Sequence, residues 1–125
     1  MISDYIGTPF DNLDCYALVR AIYKSEHGIE LANPNIRFDE NFKLYHKFVD
    51  EVSKNWVKCD KQKGAVVALR YNQNHPKIVT HFGYVLDGNK FIHTLKETGA
   101  IVDNLSKYTN IIEGYYKYEP NRNPK

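Results

Sequence analysis

The hydrophobic pattern changes character along the chain. The first half carries apolar residues at helical spacing, and the second half carries short apolar runs cut by polar turns. Residues 14–27 place Ala17, Leu18, Ala21 and Ile22 on one stripe, the three-and-four spacing of an amphipathic helix. Asp11, Asn12 and Asp14 are candidate caps, since a short side-chain oxygen accepts a free N–H at a helix start. Gly28 is a natural stop. Asn33-Pro34-Asn35 predicts a turn, and a second helix follows over about 39–54, with Phe42, Tyr45, Phe48, Val49 and Val52 on one face.

Beyond Trp56 the pattern becomes that of strands. The run 65–70 is short and mostly apolar, and 72–77 reads as a polar loop. Segments 80–86 and 90–95 flank Asp87-Gly88-Asn89, a hairpin signal. A short strand is predicted at 100–102 and a last one at 113–118, with a frayed tail over 120–125. The lead-in 1–12 contains Gly7-Thr8-Pro9 and reads as turns. Helices first and strands second predict an α+β fold, with N-terminal helices packed on a C-terminal antiparallel β-sheet.

Length and charge narrow this picture. A chain of 125 residues fits a single domain, 1–125, that buries enough surface to fold without disulfides. The net charge of +2 is too small, and the lysines too scattered, for a nucleic-acid-binding face. The longest apolar run, 65–69, is too short to cross a membrane. The first eight residues lack a basic stretch followed by an apolar one, so synthesis in a cytoplasm without a signal peptide is expected. Action outside the cell would then need another delivery route. Cys15 and Cys59 sit in different contexts and form no zinc-type spacing with histidine, so no metal or cofactor is expected.

The chemistry centres on Cys15 and two histidines. Cys15 falls where the first helix begins, and free N–H groups there favour negative charge, which predicts a lowered thiol pKa. By itself such a position also describes a buried core thiol. A cysteine nucleophile needs a base, and the base needs a group to orient its ring. His81 and His93 lie on the two arms of the predicted hairpin. Side chains alternate with period two, so the two rings share a face only if the loop is odd or a bulge intervenes. The three residues Asp87-Gly88-Asn89 meet that condition and set His93 opposite Gly83.

In this order the residues resemble the NlpC group of papain-like cysteine peptidases, named jointly for NlpC and p-sixty. The matching pieces are Asp14-Cys15 opening a helix, His81-Phe82-Gly83-Tyr84-Val85, the turn Asp87-Gly88-Asn89 and Phe91-Ile92-His93-Thr94. Tyr5-Ile6-Gly7-Thr8-Pro9-Phe10 is similar to the family's Gly-Thr-Pro-Tyr lead-in. Cys15-Tyr16-Ala17-Leu18-Val19-Arg20, the stretch 99–105 and Ile112-Glu113-Gly114-Tyr115-Tyr116 are similar to a branch found in phage tail proteins.

The resemblance implies a papain-like fold and roles by position. Cys15 would be the nucleophile, His81 the general base, and His93 the residue that fixes its ring. Asp14 would receive a substrate's amino end. Phe10, where the family usually has Tyr, and Tyr16, where it has a small residue, would shape the substrate groove. The implied substrate is peptidoglycan, cut between D-γ-glutamyl and a diamino acid. The implied partners are peptidoglycan peptides and phage tail proteins, with the virion tail or the cell wall as location. Two other readings use the same residues differently: a non-enzymatic tail-assembly module, and an amidase or deamidase on another substrate.

Overall fold

The computed structural model describes residues 1–34 and 41–120. Helix α1 (Cys15–Ile22) starts where Asp14, in extended backbone, accepts the Ala17 N–H on Oδ1 at 3.0 Å. Of the three candidate caps, Asp14 takes the role. Its inward face is Cys15, Leu18, Val19 and Ile22, while Ala17 and Ala21 sit at its margin. The predicted last turn widens into a π-helix (Tyr23–His27) that stops at Gly28, whose φ of 66° is left-handed. Helix α2 (Asn41–Asn55) turns Leu44 inward, with Tyr45, Phe48 and Val52 packed around the core. Phe42 and Val49, expected on that face, are exposed; the Phe42 ring instead meets His75 edge-on. The reason is rotational: the helix rests on the stripe through Leu44 and Phe48, which turns the stripe through Phe42 and Val49 outward. The predicted start of this helix, near 39, lies outside the described residues.

Six antiparallel strands form one sheet in the order β1-β6-β2-β3-β4-β5. They are β1 (Trp56–Cys59), β2 (Val66–Leu69), β3 (His81–Val85), β4 (Lys90–Leu95), β5 (Gly99–Asn104) and β6 (Ile112–Tyr118). Strand β1 carries no pattern of its own to announce it; pairing with the end of β6 makes it a strand. This is the α+β architecture expected from the sequence.

Period two divides the central strands between two cores. Val66, Ala68, Phe82, Tyr84 and Ile92 face α1, while Ala65, Val67, Leu69, Val85 and Phe91 face Leu105 and Tyr108. Leu105 and Tyr108 belong to a 3₁₀ turn (Leu105–Tyr108) that covers the second face. A sheet buried on both sides explains why β2 and β3 read as continuous apolar runs rather than alternating ones.

The β3–β4 hairpin has the odd loop that parity required. Tyr84 pairs with Ile92 and Val85 with Phe91, and the Leu86 N–H donates to the Lys90 carbonyl at 2.8 Å. Asp87, Gly88 and Asn89 form the loop, with Gly88 at a φ of 67°. Continued toward the other end, this register sets His93 opposite Gly83.

The lead-in is also ordered by pairing. Gly7 donates to the Ala100 carbonyl and Ala100 donates to the Thr8 carbonyl. Gly99 permits this approach: its φ is 73°, and a Cβ there would lie 2.4 Å from the Thr8 oxygen.

Candidate active site

The first turn of α1 and the first residue of β3 open on one cleft of about 840 Å³. Cys15, His81, Phe10, Tyr71, Thr94 and Tyr108 are among its lining residues. Cys15 and His81 are each only 5% exposed, so the cleft meets them at its floor. Leu69, the β2 partner of His81, ends its strand there, and the following segment lays the Tyr71 ring 4.8 Å from the His81 ring.

Behind His81 runs a chain of side chains. His81 Nε2 lies 2.8 Å from His93 Nδ1, and His93 Nε2 lies 3.3 Å from Asp103 Oδ2. His93 is fully buried and stacks on Phe91 at 4.2 Å. Gly83 makes room for that stack, because a Cβ there would lie 2.5 Å from Phe91 Cδ2. Asp103 reaches His93 diagonally: β4 and β5 pair His93 with Ile101 and Phe91 with Asp103. Tyr108 donates to Asp103 Oδ2 at 2.8 Å, and Lys107 and the Asn104 N–H hold Oδ1.

The electrostatics correct one expectation. Burial pushes the Cys15 thiol up to about 12, and the Asp14 charge adds to this. Hydrogen bonds from the backbone of Phe82, Tyr16 and Cys15 itself pull the other way and lose. The magnitudes explain the sign. A helix N-terminus supplies up to about 2 kcal/mol, roughly 1.5 pKa units, whereas full desolvation shifts a group by about 3–5 units. His81 is pushed down to about 3, by burial and then by His93. Both shifts favour a neutral thiol and a neutral imidazole over the ion pair that the helix start alone suggests.

Of the residues singled out in the sequence, Cys15, His81 and Phe10 meet at the cleft, with His93 directly behind. Tyr16 does not join them. One residue along a helix is a turn of about 100°, so its ring points to Phe82, 5.7 Å away. There it lines a separate apolar crevice with Phe48 and Trp56. Tyr16, expected to shape the substrate groove, packs against Phe82 and does not line the cleft of Cys15 and His81. Asp14 caps α1 with one carboxylate oxygen and is not among the cleft-lining residues. Asp103, Tyr71 and Thr94 escaped the sequence reading. The strand predicted at 100–102 stops one residue short of Asp103, and only the pairing of β5 with β4 sets that residue beside His93. Thr94 is fully buried, and its hydroxyl has no hydrogen-bond partner among the described residues.

The sequence model of the NlpC/P60 family matches residues 4–118, nearly the whole chain. The chain belongs to the NlpC/P60 family. Among solved structures it is similar to an NLP/P60-family, lipoprotein-like protein from Staphylococcus aureus subsp. aureus Mu50. The TM-score is 0.65 at 20% identity, over 94% of this chain and 39% of that one. It is also similar to the NlpC/p60 domain of the peptidoglycan hydrolase SagA, with a TM-score of 0.58 at 16% identity, over 92% of this chain and 90% of that one. The chain thus spans well under half of the staphylococcal protein. None of the curated proteins compared with it matches. At these identities the structural likeness establishes the NlpC/P60 papain-like fold.

Proposed function

We propose that this NlpC/P60 protein is a cysteine peptidase that hydrolyses peptidoglycan stem peptides at the bond between D-γ-glutamyl and a diamino acid. The observation that carries this reading is the shared cleft of Cys15 and His81, with His81 held 2.8 Å from His93. Family membership and the likeness to the domain of SagA, itself a peptidoglycan hydrolase, support the substrate class.

The chemistry follows from a neutral pair. Cys15 Sγ attacks the scissile carbonyl carbon as its proton passes to His81. The backbone of Cys15 and Tyr16, already placed at the sulfur, supplies donors for the oxyanion. The leaving amine takes the proton from the His81 imidazolium as the C–N bond breaks. Water then attacks the thioester with His81 again accepting a proton, and Cys15 regains its own. Phe10, which lines the cleft, is a group that meets substrate. The similarity of the segment around Cys15 to a phage-tail branch supports a setting in a phage tail, from which the enzyme would reach the wall.

Mass spectrometry of purified stem peptides after incubation tests the reading. The wild type cuts the γ-glutamyl bond, and Cys15→Ala and His81→Ala each lose at least about 10³-fold in rate. Cleavage by both variants at the wild-type rate would sink the assignment. A deamidated but uncut peptide would move it to the amidase class.

A further inference from the structure

The histidine pair leaves a question of proton placement. A neutral imidazole carries one N–H and one lone pair, and His81 serves as a base only if its lone pair is on the nitrogen free for proton transfer. Its Nε2 is engaged with His93 Nδ1 at 2.8 Å, so the useful lone pair is that of Nδ1. The His81–His93 contact alone does not decide this, because either ring could donate.

Asp103 decides it. Its carboxylate is 8% exposed and sits against four donors: His93 Nε2, the Tyr108 hydroxyl, the Lys107 ammonium and the Asn104 N–H. Burial alone would raise its pKa; the hydrogen bonds from Tyr108, Lys107, Asn104 and His93 outweigh burial and hold it well below the usual carboxylate range. An ionised carboxylate only accepts. His93 Nε2 must therefore carry the proton, His93 Nδ1 the lone pair, and His81 Nε2 the proton it donates to that lone pair. His81 Nδ1 is left as the acceptor.

We propose that Asp103, anchored by Tyr108 and Lys107, is a positioning residue that sets the tautomer of both histidines and thereby makes His81 a base. The proposal rests on the reading of Cys15 as nucleophile and His81 as base, but the tautomers can be observed without any activity.

Asp103→Asn gives the sharpest test, because it preserves size and packing. Lys107 and the Asn104 N–H both donate into the Oδ1 position, so the amide NH₂ is forced to the Oδ2 position, facing His93. There it donates to His93 Nε2, which inverts both tautomers and places a proton on His81 Nδ1. The probe is ¹H–¹⁵N correlation of ¹⁵N-histidine protein at pH 7.5. The wild type is expected to show Nε2–H on both rings, and Asp103→Asn to show Nδ1–H on both. Asp103→Asn should lose about 100-fold or more in kcat with KM within about threefold, and more than Asp103→Ala, which removes the acceptor without supplying a donor. A wild-type His93 protonated on Nδ1, or an Asp103→Asn protein with unchanged tautomers, would overturn the proposal. If Asp103→Asn does not fold, the wild-type spectrum alone decides. If stem peptides are not cut by the wild type, the peptidase reading fails while the spectra still judge Asp103.

Discussion

Gly83 shows how one missing side chain serves the site. It lies between His81 and Val85 on β3, and no turn or positive φ requires glycine there. What requires it is the Phe91 ring, which occupies the space a Cβ would fill and stacks on His93. Gly83→Ala would bring Cβ within 2.5 Å of Phe91 Cδ2 and 3.1 Å of the Ile92 carbonyl, and neither the ring nor the strand can yield cheaply. Overpacking of this kind costs about 1–3 kcal/mol. Urea unfolding should show that loss as a lower midpoint, and the displaced ring should also shift the His93 resonances. A midpoint equal to the wild type would mean that the Phe91–His93 stack is not tight.

Helix α1 places Cys15, and Asp14 affects it in two separable ways. Its Oδ1 caps the helix through the Ala17 N–H, and its charge raises the pKa of the neighbouring thiol. Asp14→Asn keeps a capping oxygen and removes the charge, whereas Asp14→Ala removes both. Loss of a cap costs about 1 kcal/mol. Asp14→Asn is therefore expected to lower the Cys15 pKa with little change in stability, and Asp14→Ala to lower both. The pH dependence of iodoacetamide labelling in a Cys59→Ser background reads the thiol, and thermal unfolding reads the cap. An unshifted labelling curve in Asp14→Asn would show that the Asp14 charge does not reach the sulfur.

At the scale of the whole molecule, the buried site ties folding to pH. His81 is held far below its ordinary 6.5, to about 3, and His93 is also lowered by burial. Below pH 6.5 the unfolded chain therefore binds protons that the folded chain refuses, so stability falls as pH drops toward 3. Asp103 acts in a lower window: its depressed pKa stabilises the fold above 3.8, and that contribution is lost below it. At high pH the sign reverses, because Cys15 stays protonated to about 12 while the unfolded thiol ionises near 9.0. Denaturation between pH 4 and 10 should show a plateau from about 6.5 to 9. The acid side should fall by at least about 1.4 kcal/mol per pH unit, one proton's worth. His81→Asn should make that limb shallower; an identical limb would place the linkage elsewhere.

The local pattern alone determined both helices, five of the six strands to within a few residues, and the register of the hairpin. These follow from short-range physics: stripe spacing, a capping oxygen, and the parity of a three-residue loop between His81 and His93. Strand β1 was not legible, because only its pairing with Tyr115–Tyr118 of β6 makes Trp56–Cys59 extended. Which stripe of α2 turns inward was likewise decided by packing, and so was the direction of Tyr16. Tertiary structure also reversed the sign of the Cys15 shift. Helix position is visible in sequence, but desolvation depends on what closes over the sulfur, and at Cys15 desolvation is the larger effect. Asp103 reaches His93 only because β5 lies beside β4, a neighbour relation that no local pattern contains. Sequence determined which groups could do the chemistry; packing decided how deep they lie, and in what protonation state they wait.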